Sequence, residues 1–209
     1  MTRLGLASRL AAAVVALAAM AGAGASAELA PPQRVQLAQS ALGILDFGPL
    51  AVDGIAGAAT DRALAAAAAA FGWNDTATLD ADTVDRLNRA AAAALAARHG
   101  IAFDGRWTLD PGWWDDDLTA RAGLTGPVSL AEACAAPLPV TFTIDGLLYA
   151  PAGGGRPWIL IEEYDRLVPV PPEGRPPYSE AHGFAVVDAD TLETLTEGDT
   201  ARWRRCPDP

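Results

Sequence analysis

The sequence predicts an α+β fold in which three helices precede a small antiparallel β domain tied by a disulfide bond. Residues 33–99 are rich in alanine and place apolar residues at helical spacing. Residues 101–209 are rich in glycine, proline and strand-forming residues, and they contain both cysteines, Cys134 and Cys206. The change of character near Gly100 divides the chain into expected domains at residues 28–100 and 101–209.

Residues 1–27 have the pattern of a secretory signal peptide. Arg3 and Arg9 are the only charged residues before Glu28, a short apolar run follows them, and the segment ends in Ala25-Ser26-Ala27. We therefore expect cleavage between Ala27 and Glu28 and a mature protein that is periplasmic or secreted. The apolar run is too short to span a bilayer, and no later stretch is apolar enough to form a transmembrane segment.

Charge and cysteine content restrict the partners. The net charge is −11, and the sequence contains no lysine. An acidic surface repels phosphate backbones, so we expect no nucleic-acid partner. An even pair of cysteines in an exported protein predicts a disulfide bond between Cys134 and Cys206.

Three helices follow from the spacing of apolar residues. The expected buried stripes are Val35, Ala38, Leu42 and Leu45 in the first helix, Ala63, Leu64, Ala67 and Phe71 in the second, and Val84, Leu87, Ala91 and Leu95 in the third. Gly72 is expected to end the second helix, and Asp80 to cap the start of the third.

Residues 35–64 read VQLAQSALGILDFGPLAVDGIAGAATDRAL and contain the motif V-D-G-x-x-G-x-x-T downstream of a glutamine. This segment resembles the peptidoglycan-binding-like domain, a three-helix unit of exported cell-wall proteins, over about residues 33–97. The matching positions are Val35, Gln39, Leu42, Leu45, Phe47, Val52, Asp53, Gly54, Gly57 and Thr60, followed by Leu79, Thr83 and Leu87. The resemblance implies peptidoglycan as a partner.

Two interpretations of this motif remain open. Gln39, Phe47, Asp53 and Thr60 are candidate glycan-binding residues by resemblance. Alternatively, the Asp53 carboxylate and the Thr60 hydroxyl bond free N–H groups at the entry to the second helix, and Gln39 ties two helices together.

The second part of the chain predicts five strands. They are Val140–Ile144, Leu147–Tyr149, Trp158–Ile161, Phe184–Val187 and Ala201–Cys206, with Asp145-Gly146 as a hairpin turn. The proline-rich stretch Pro169–Pro177 is expected to be a loop or an extended segment.

Asp104-Gly105-Arg106-Trp107 contains a Gly-x-Trp sequence. It is similar to the first strand of lipocalin-like barrels and of small periplasmic protease inhibitors. The similarity implies that an arginine of the last strand, Arg202, Arg204 or Arg205, packs over Trp107. The alternative is that Trp107 anchors the core of a different β domain.

The segment Trp113-Trp114-Asp115-Asp116-Asp117 is the most suggestive surface feature of the sequence. Adjacent aromatic rings beside carboxylates can stack against sugars and bond their hydroxyls, so Trp113 and Trp114 are candidate glycan-binding residues. The alternative is that one Trp is a core residue and the acids are solvated.

Enzymatic alternatives have weaker patterns. An L,D-transpeptidase needs a cysteine nucleophile after a His-Gly pair, and His182-Gly183 precedes Cys206, but the family's Ser-x-Gly-Cys context is missing. Glu162 and Glu163 point to opposite faces of a strand and are expected to be solvated rather than to act as a catalytic pair. We expect no cofactor, and the two histidines, His99 and His182, lack the spacing of zinc ligands.

The sequence therefore predicts an exported, non-enzymatic cell-envelope protein that binds peptidoglycan through its N-terminal helices. One alternative is an accessory or protease-inhibitor-like envelope protein that docks a protein partner. The other is a cell-wall enzyme such as an L,D-transpeptidase.

Overall fold

A computed structural model of the chain describes residues 29–48, 51–73, 78–136, 141–151, 156–163, 166–171, 183–196 and 199–207. The predicted signal peptide and its cleavage site between Ala27 and Glu28 lie outside these residues. The chain divides between Leu95 and Ala96 into two compact units.

The long helices of the described chain are α1 (Pro31–Ile44), α2 (Ala58–Phe71) and α3 (Ala81–His99). Pro31 suits the first position of α1, where the N–H that proline lacks would have no helical partner. Helix α2 ends because Gly72 takes a φ of 67°. At the start of α3 the Asp80 carboxylate accepts a hydrogen bond from the Thr83 backbone N–H at 2.9 Å. The expected roles of Gly72 and Asp80 are confirmed.

The buried stripes match the expectation best in α3, where Val84, Leu87, Ala91 and Leu95 are all buried. In α2 Ala63, Leu64 and Ala67 are buried as expected, while Phe71 is only half-buried. In α1 the stripe is wider than expected. Ala38 and Leu42 are buried, Val35 and Leu45 are half-buried, and Leu37, Ala41 and Ile44 are buried in addition.

Eight strands of the second unit close into an antiparallel barrel. They are β1 (Gly105–Leu109), β2 (Thr141–Asp145), β3 (Leu148–Pro151), β4 (Trp158–Glu163), β5 (Arg166–Val170), β6 (Phe184–Asp188), β7 (Thr191–Thr196) and β8 (Asp199–Arg205). Each strand pairs with the next one along the chain, and β8 pairs with β1. Closure removes the unpaired edges that an open sheet would leave.

Ring contacts identify the face of the strands that lines the barrel. The Phe142 ring on β2 lies 5.0 Å, centroid to centroid, from the rings of Phe184 on β6 and Trp203 on β8. These strands are not neighbours, so the rings meet across the interior. The alternation of side chains and the strand register then place the following residues on the same inner face: Trp107, Phe142, Ile144, Tyr149, Trp158, Leu160, Glu162, Leu167, Phe184, Leu192, Trp203 and Arg205.

The connection from β1 to β2 contains a 3₁₀ turn (Pro111–Trp113) and two short helices, α4 (Asp116–Arg121) and α5 (Leu130–Ala135). A reciprocal capping box between Ser129 and Glu132 starts α5. The Thr108 hydroxyl donates to the Ala133 carbonyl at 3.3 Å, so α5 packs on the outer face of β1. The predicted disulfide bond joins Cys134 of α5 to Cys206 after β8 and is confirmed.

The predicted fold class, an α+β chain with an N-terminal three-helix module before a separate small β domain, is wrong. The architecture is a closed eight-stranded antiparallel barrel with a few helices. Helix α3 crosses the division between the two units, and α4 and α5 lie wholly in the second unit. The helices therefore do not form a module that ends before the strands begin.

Of the stretch Pro169–Pro177, expected to be a loop or an extended segment, Pro169 lies in the extended strand β5 opposite Leu160 of β4, and residues 172–177 lie outside the described residues. The Leu160 N–H donates to the Leu147 carbonyl, away from β5. Leu160 and Pro169 therefore form a non-hydrogen-bonded pair, and the nitrogen of Pro169 faces β6. Among the described residues, β5 pairs with β6 through Leu167 and Phe184, and a proline nitrogen on that side removes no hydrogen bond between β4 and β5.

Candidate functional site

The motif residues of the first unit converge on the side chain of Gln39, which is 3% exposed. Its amide nitrogen lies 2.9 Å from the Asp53 carboxylate, 3.1 Å from the Ile55 carbonyl and 3.3 Å from the Thr60 hydroxyl. Its amide oxygen accepts a hydrogen bond from the Gly54 N–H at 3.0 Å. Gln39 thus ties α1 to the loop before α2 and to the first turn of α2.

The same loop is fixed by Asp53 and Gly54. The Asp53 carboxylate accepts from the Ile55 N–H at 2.9 Å, and this bond, followed by that from Gln39, lowers the pKa of Asp53. Gly54 has a φ of 76°, and a Cβ at this position would lie 2.9 Å from the Pro32 carbonyl oxygen. The motif therefore has a clear architectural role, and glycan binding by Gln39, Asp53 and Thr60 stays a prediction.

Phe47, the fourth residue implicated in the first unit, belongs to a row of half-buried aromatic rings. Its ring packs edge-on against Phe71 at 5.8 Å, Phe71 stacks on Trp73 at 5.3 Å, and the guanidinium of Arg86 lies 5.9 Å from the Trp73 ring centroid. Arg86 also pairs with the exposed carboxylate of Asp82. The structure thus groups Phe47 with aromatic residues rather than with the Gln39 cluster.

Trp113 and Trp114 have different environments. Trp113 is 46% exposed, whereas Trp114 is half-buried and donates its indole N–H to the Leu109 carbonyl at 3.2 Å. Asp115 caps α4 through a 2.7 Å bond from the Leu118 N–H. Of the two predicted glycan-binding tryptophans, Trp113 is the one with its side chain largely in solvent.

The barrel has one end where β1 begins at Gly105 and β8 finishes at Arg205, called here the Gly105 end. The guanidinium of Arg205 lies 4.4 Å from the Trp107 ring centroid and donates to the carbonyls of Ala102 and Asp104. Of the three arginines that the Gly-x-Trp similarity offers, Arg205 therefore packs over the tryptophan.

Trp107 is fully buried, and its indole donates to the Phe103 carbonyl at 3.0 Å. The Asp104 carboxylate accepts from the Gly146 N–H at 2.6 Å. The segment before β1 is thus bonded both to β1 and to the β2–β3 turn. It closes the Gly105 end of the barrel.

Glu162 is a charged residue whose position the sequence pattern does not reveal. It lies on the inner face of β4, and its side chain is 14% exposed. The expectation that Glu162 is solvated is therefore wrong. Its carboxylate pairs with Arg98 and lies 3.0 Å from Nε2 of His99, whose ring packs edge-on against Phe103 at 5.6 Å. Glu162 thus attaches the residues that precede β1 to the barrel.

The opposite end, where β1 finishes, is called the Leu109 end. On the inner face Trp203 is the register partner of Leu109, and the rings of Tyr149, Trp158 and Trp203 are half-buried. Tyr149 and Trp158 are 5.7 Å apart, and the Trp203 indole donates to the Thr194 hydroxyl at 3.1 Å. Burial raises the pKa of Tyr149 to about 12, so its hydroxyl is protonated at physiological pH.

Chemistry at the cysteines is restricted by the disulfide bond, because Cys206 has no thiol while it is bonded to Cys134. His182 of the transpeptidase alternative lies outside the described residues. Within the described ranges, no group of three or more His, Cys, Asp or Glu residues is arranged to hold a metal ion. No helix in those ranges combines the length and apolar character needed to span a membrane.

Comparison of the chain with protein-family models, curated proteins and solved structures finds no match.

Proposed function

We propose that this chain is an exported, non-enzymatic cell-envelope protein whose barrel binds a protein partner, in the manner of small periplasmic protease inhibitors. The observation that carries the proposal is the packing of Arg205 over the buried Trp107 in a closed eight-stranded barrel. This is the arrangement that the Gly-x-Trp similarity implies for such barrels.

The filled interior supports binding on the outside of the barrel. An eight-stranded barrel is either filled by side chains or holds one small ligand. The centroid of the Phe142 ring lies 5.0 Å from the ring centroids of Tyr149, Phe184 and Trp203, and 6.4 Å from that of Trp107. These five rings occupy the middle of the barrel, so partner recognition is assigned to its outer surface and ends.

The transpeptidase alternative has less support. That reaction requires a free thiolate as the nucleophile. The sulfur of Cys206 is instead bonded to Cys134, and the residue is 7% exposed.

An inhibition assay tests the proposal. Full-length mature protein is titrated into a panel of secreted metalloproteases and serine proteases, and residual activity is measured alongside size-exclusion chromatography. We expect saturable inhibition of at least one protease, with a complex of fixed stoichiometry in which the chain remains uncleaved. Undiminished activity of every protease, with no complex formed, would contradict the inhibitor function; heat-denatured protein serves as the control.

Peptidoglycan binding by the first unit is a second candidate function, favoured by the row of Phe47, Phe71 and Trp73. Flat aromatic faces pack against the C–H groups of sugar rings, and the guanidinium of Arg86, paired with Asp82, lies over the Trp73 ring and offers polar groups for sugar hydroxyls. The residues of this row are half-buried, so part of each side chain reaches solvent.

Co-sedimentation of the full-length mature protein with purified sacculi checks this second function. We expect wild-type protein in the pellet, and Trp73→Ala to lose most of the bound fraction because the largest stacking face is removed. Val187→Ala is the matched control, since Val187 is 48% exposed and lies on the barrel. Wild-type protein that stays in the supernatant at low and moderate salt would exclude peptidoglycan as the partner.

A further inference from the structure

An exposed tryptophan lies at the Leu109 end of the barrel, outside the cluster of rings that fills the interior. Three large apolar side chains of the described chain are exposed, Ile55, Trp113 and Val187, and Trp113 is the aromatic one. The hydrogen bond from the Trp114 indole to Leu109 fixes the Trp113–Trp114 segment to the last residue of β1. Trp113 therefore lies at the Leu109 end of the barrel.

Three hydrogen bonds hold the backbone that presents Trp113. The Trp113 N–H donates to the Asp110 carbonyl at 2.8 Å, and the Trp114 N–H donates to the Pro111 carbonyl at 3.1 Å. The Asp110 carboxylate accepts from the Gly112 N–H at 2.9 Å. A side chain held in this way loses little backbone freedom when a partner covers it, and tryptophan is among the residues that contribute most to protein interfaces.

The charged residues that closely follow Trp113 in the sequence indicate the chemistry of the partner. Asp116 and Asp117 follow it closely and are both exposed, and Asp117 has only a long contact of 3.8 Å with Arg121. Nearby on β8, the positive charge of Arg202 is already paired with Glu193 at 2.8 Å. An exposed tryptophan complements a guanidinium or ammonium group through cation–π contact, and exposed carboxylates a few residues further along the chain attract the same positive charge.

We infer that the Trp113 surface, comprising Trp113, Asp116 and Asp117, binds an arginine- or lysine-containing segment of a partner protein. This inference rests on the proposed function and assigns the partner's chemistry to one end of the barrel. The net charge of −11 over the whole chain assists the encounter with a basic partner.

Peptide binding to the full-length mature protein tests the inference. The probe is a synthetic peptide of alternating arginine and glycine, and a glutamate–glycine peptide of equal length is the negative control. We expect Trp113→Ala to weaken binding of the arginine peptide about 2- to 30-fold, the range that corresponds to one cation–π contact. Trp113→Phe should retain part of the affinity, and Val187→Ala should bind as the wild type does.

Charge is tested separately with the double variant Asp116→Asn, Asp117→Asn. It should bind the arginine peptide more weakly than the wild type, with a smaller loss of affinity as salt is raised. Thermal unfolding of each variant establishes that the fold is retained.

Equal binding of the peptide by the wild type and Trp113→Ala, or no binding by the wild type, would overturn the inference. Protease inhibition is measured independently, so inhibition that persists in Trp113→Ala would reject this surface and leave the proposed function standing. If the wild type inhibited none of the proteases but still bound the peptide in a Trp113-dependent way, only the inhibitor function would be rejected.

Discussion

Replacement of Trp107 by alanine is expected to lower the free energy of unfolding by about 3–5 kcal/mol, the usual cost of truncating a large buried aromatic residue. Trp107 is fully buried, and its ring contacts both Phe142 and Arg205. The substitution leaves a cavity at the Gly105 end and removes the indole donor of the Phe103 carbonyl. It also leaves the Arg205 guanidinium without the ring that covers it.

Urea unfolding followed by circular dichroism measures this effect. Trp113→Ala is the matched control, because it removes the same side chain from a largely exposed position and should change stability by less than about 1 kcal/mol. If Trp107→Ala were as stable as Trp113→Ala, the stability of the barrel would not depend on the buried side chain of Trp107. The contact between the Arg205 guanidinium and the Trp107 ring would then not stabilise the fold either.

Local patterns of the sequence predict individual elements well. The stripe of Val84, Leu87, Ala91 and Leu95 predicts the buried face of α3, because helical spacing reports directly which side meets a core. The Asp145-Gly146 signal predicts the hairpin between β2 and β3, although the turn lies one residue later, at Gly146 and Leu147. Such elements depend on neighbouring residues alone.

Closure of the barrel is not predictable in this way, because it depends on pairing between residues nearly one hundred positions apart. β1 pairs with β8 through Trp107 and Arg205, and only the Gly-x-Trp similarity points to this contact. The pattern of β5 is obscured by Pro169, whose nitrogen lacks an N–H and faces away from β4, so that the β4–β5 hydrogen bonds are kept. The five recognisable strands therefore predict only a small antiparallel β domain.

The candidate site shows the same division. One interpretation of the motif has Gln39 tying two helices together, and in the structure its buried side chain is bonded to Asp53, Gly54 and Thr60. The alternation of side chains on a strand separates Glu162 from Glu163, but it does not indicate that Glu162 faces inward. That position becomes clear only when Arg98 and His99 are brought against it by the barrel.

Removal of the disulfide bond should cost about 4 kcal/mol in the chain-entropy model, because Cys134 and Cys206 close a long loop in the unfolded chain. The bond joins α5 to the end of β8, and the loop that it closes contains β2 to β8. Without it, the unfolded chain gains freedom, while most strand pairs of the folded barrel are unchanged. The prediction is therefore lower stability with a native-like barrel.

The double variant Cys134→Ala, Cys206→Ala tests this expectation without leaving a free thiol. Its urea midpoint should fall well below that of the oxidised wild type, and reduction of the wild type should reproduce the shift. Hydrogen exchange should show the largest loss of protection in α5, whose remaining tie to β1 includes the bond from Thr108 to Ala133. Unchanged unfolding of the wild type on reduction would mean that this bond does not stabilise the barrel, and that the capping box and the Thr108 contact suffice to hold α5 in place.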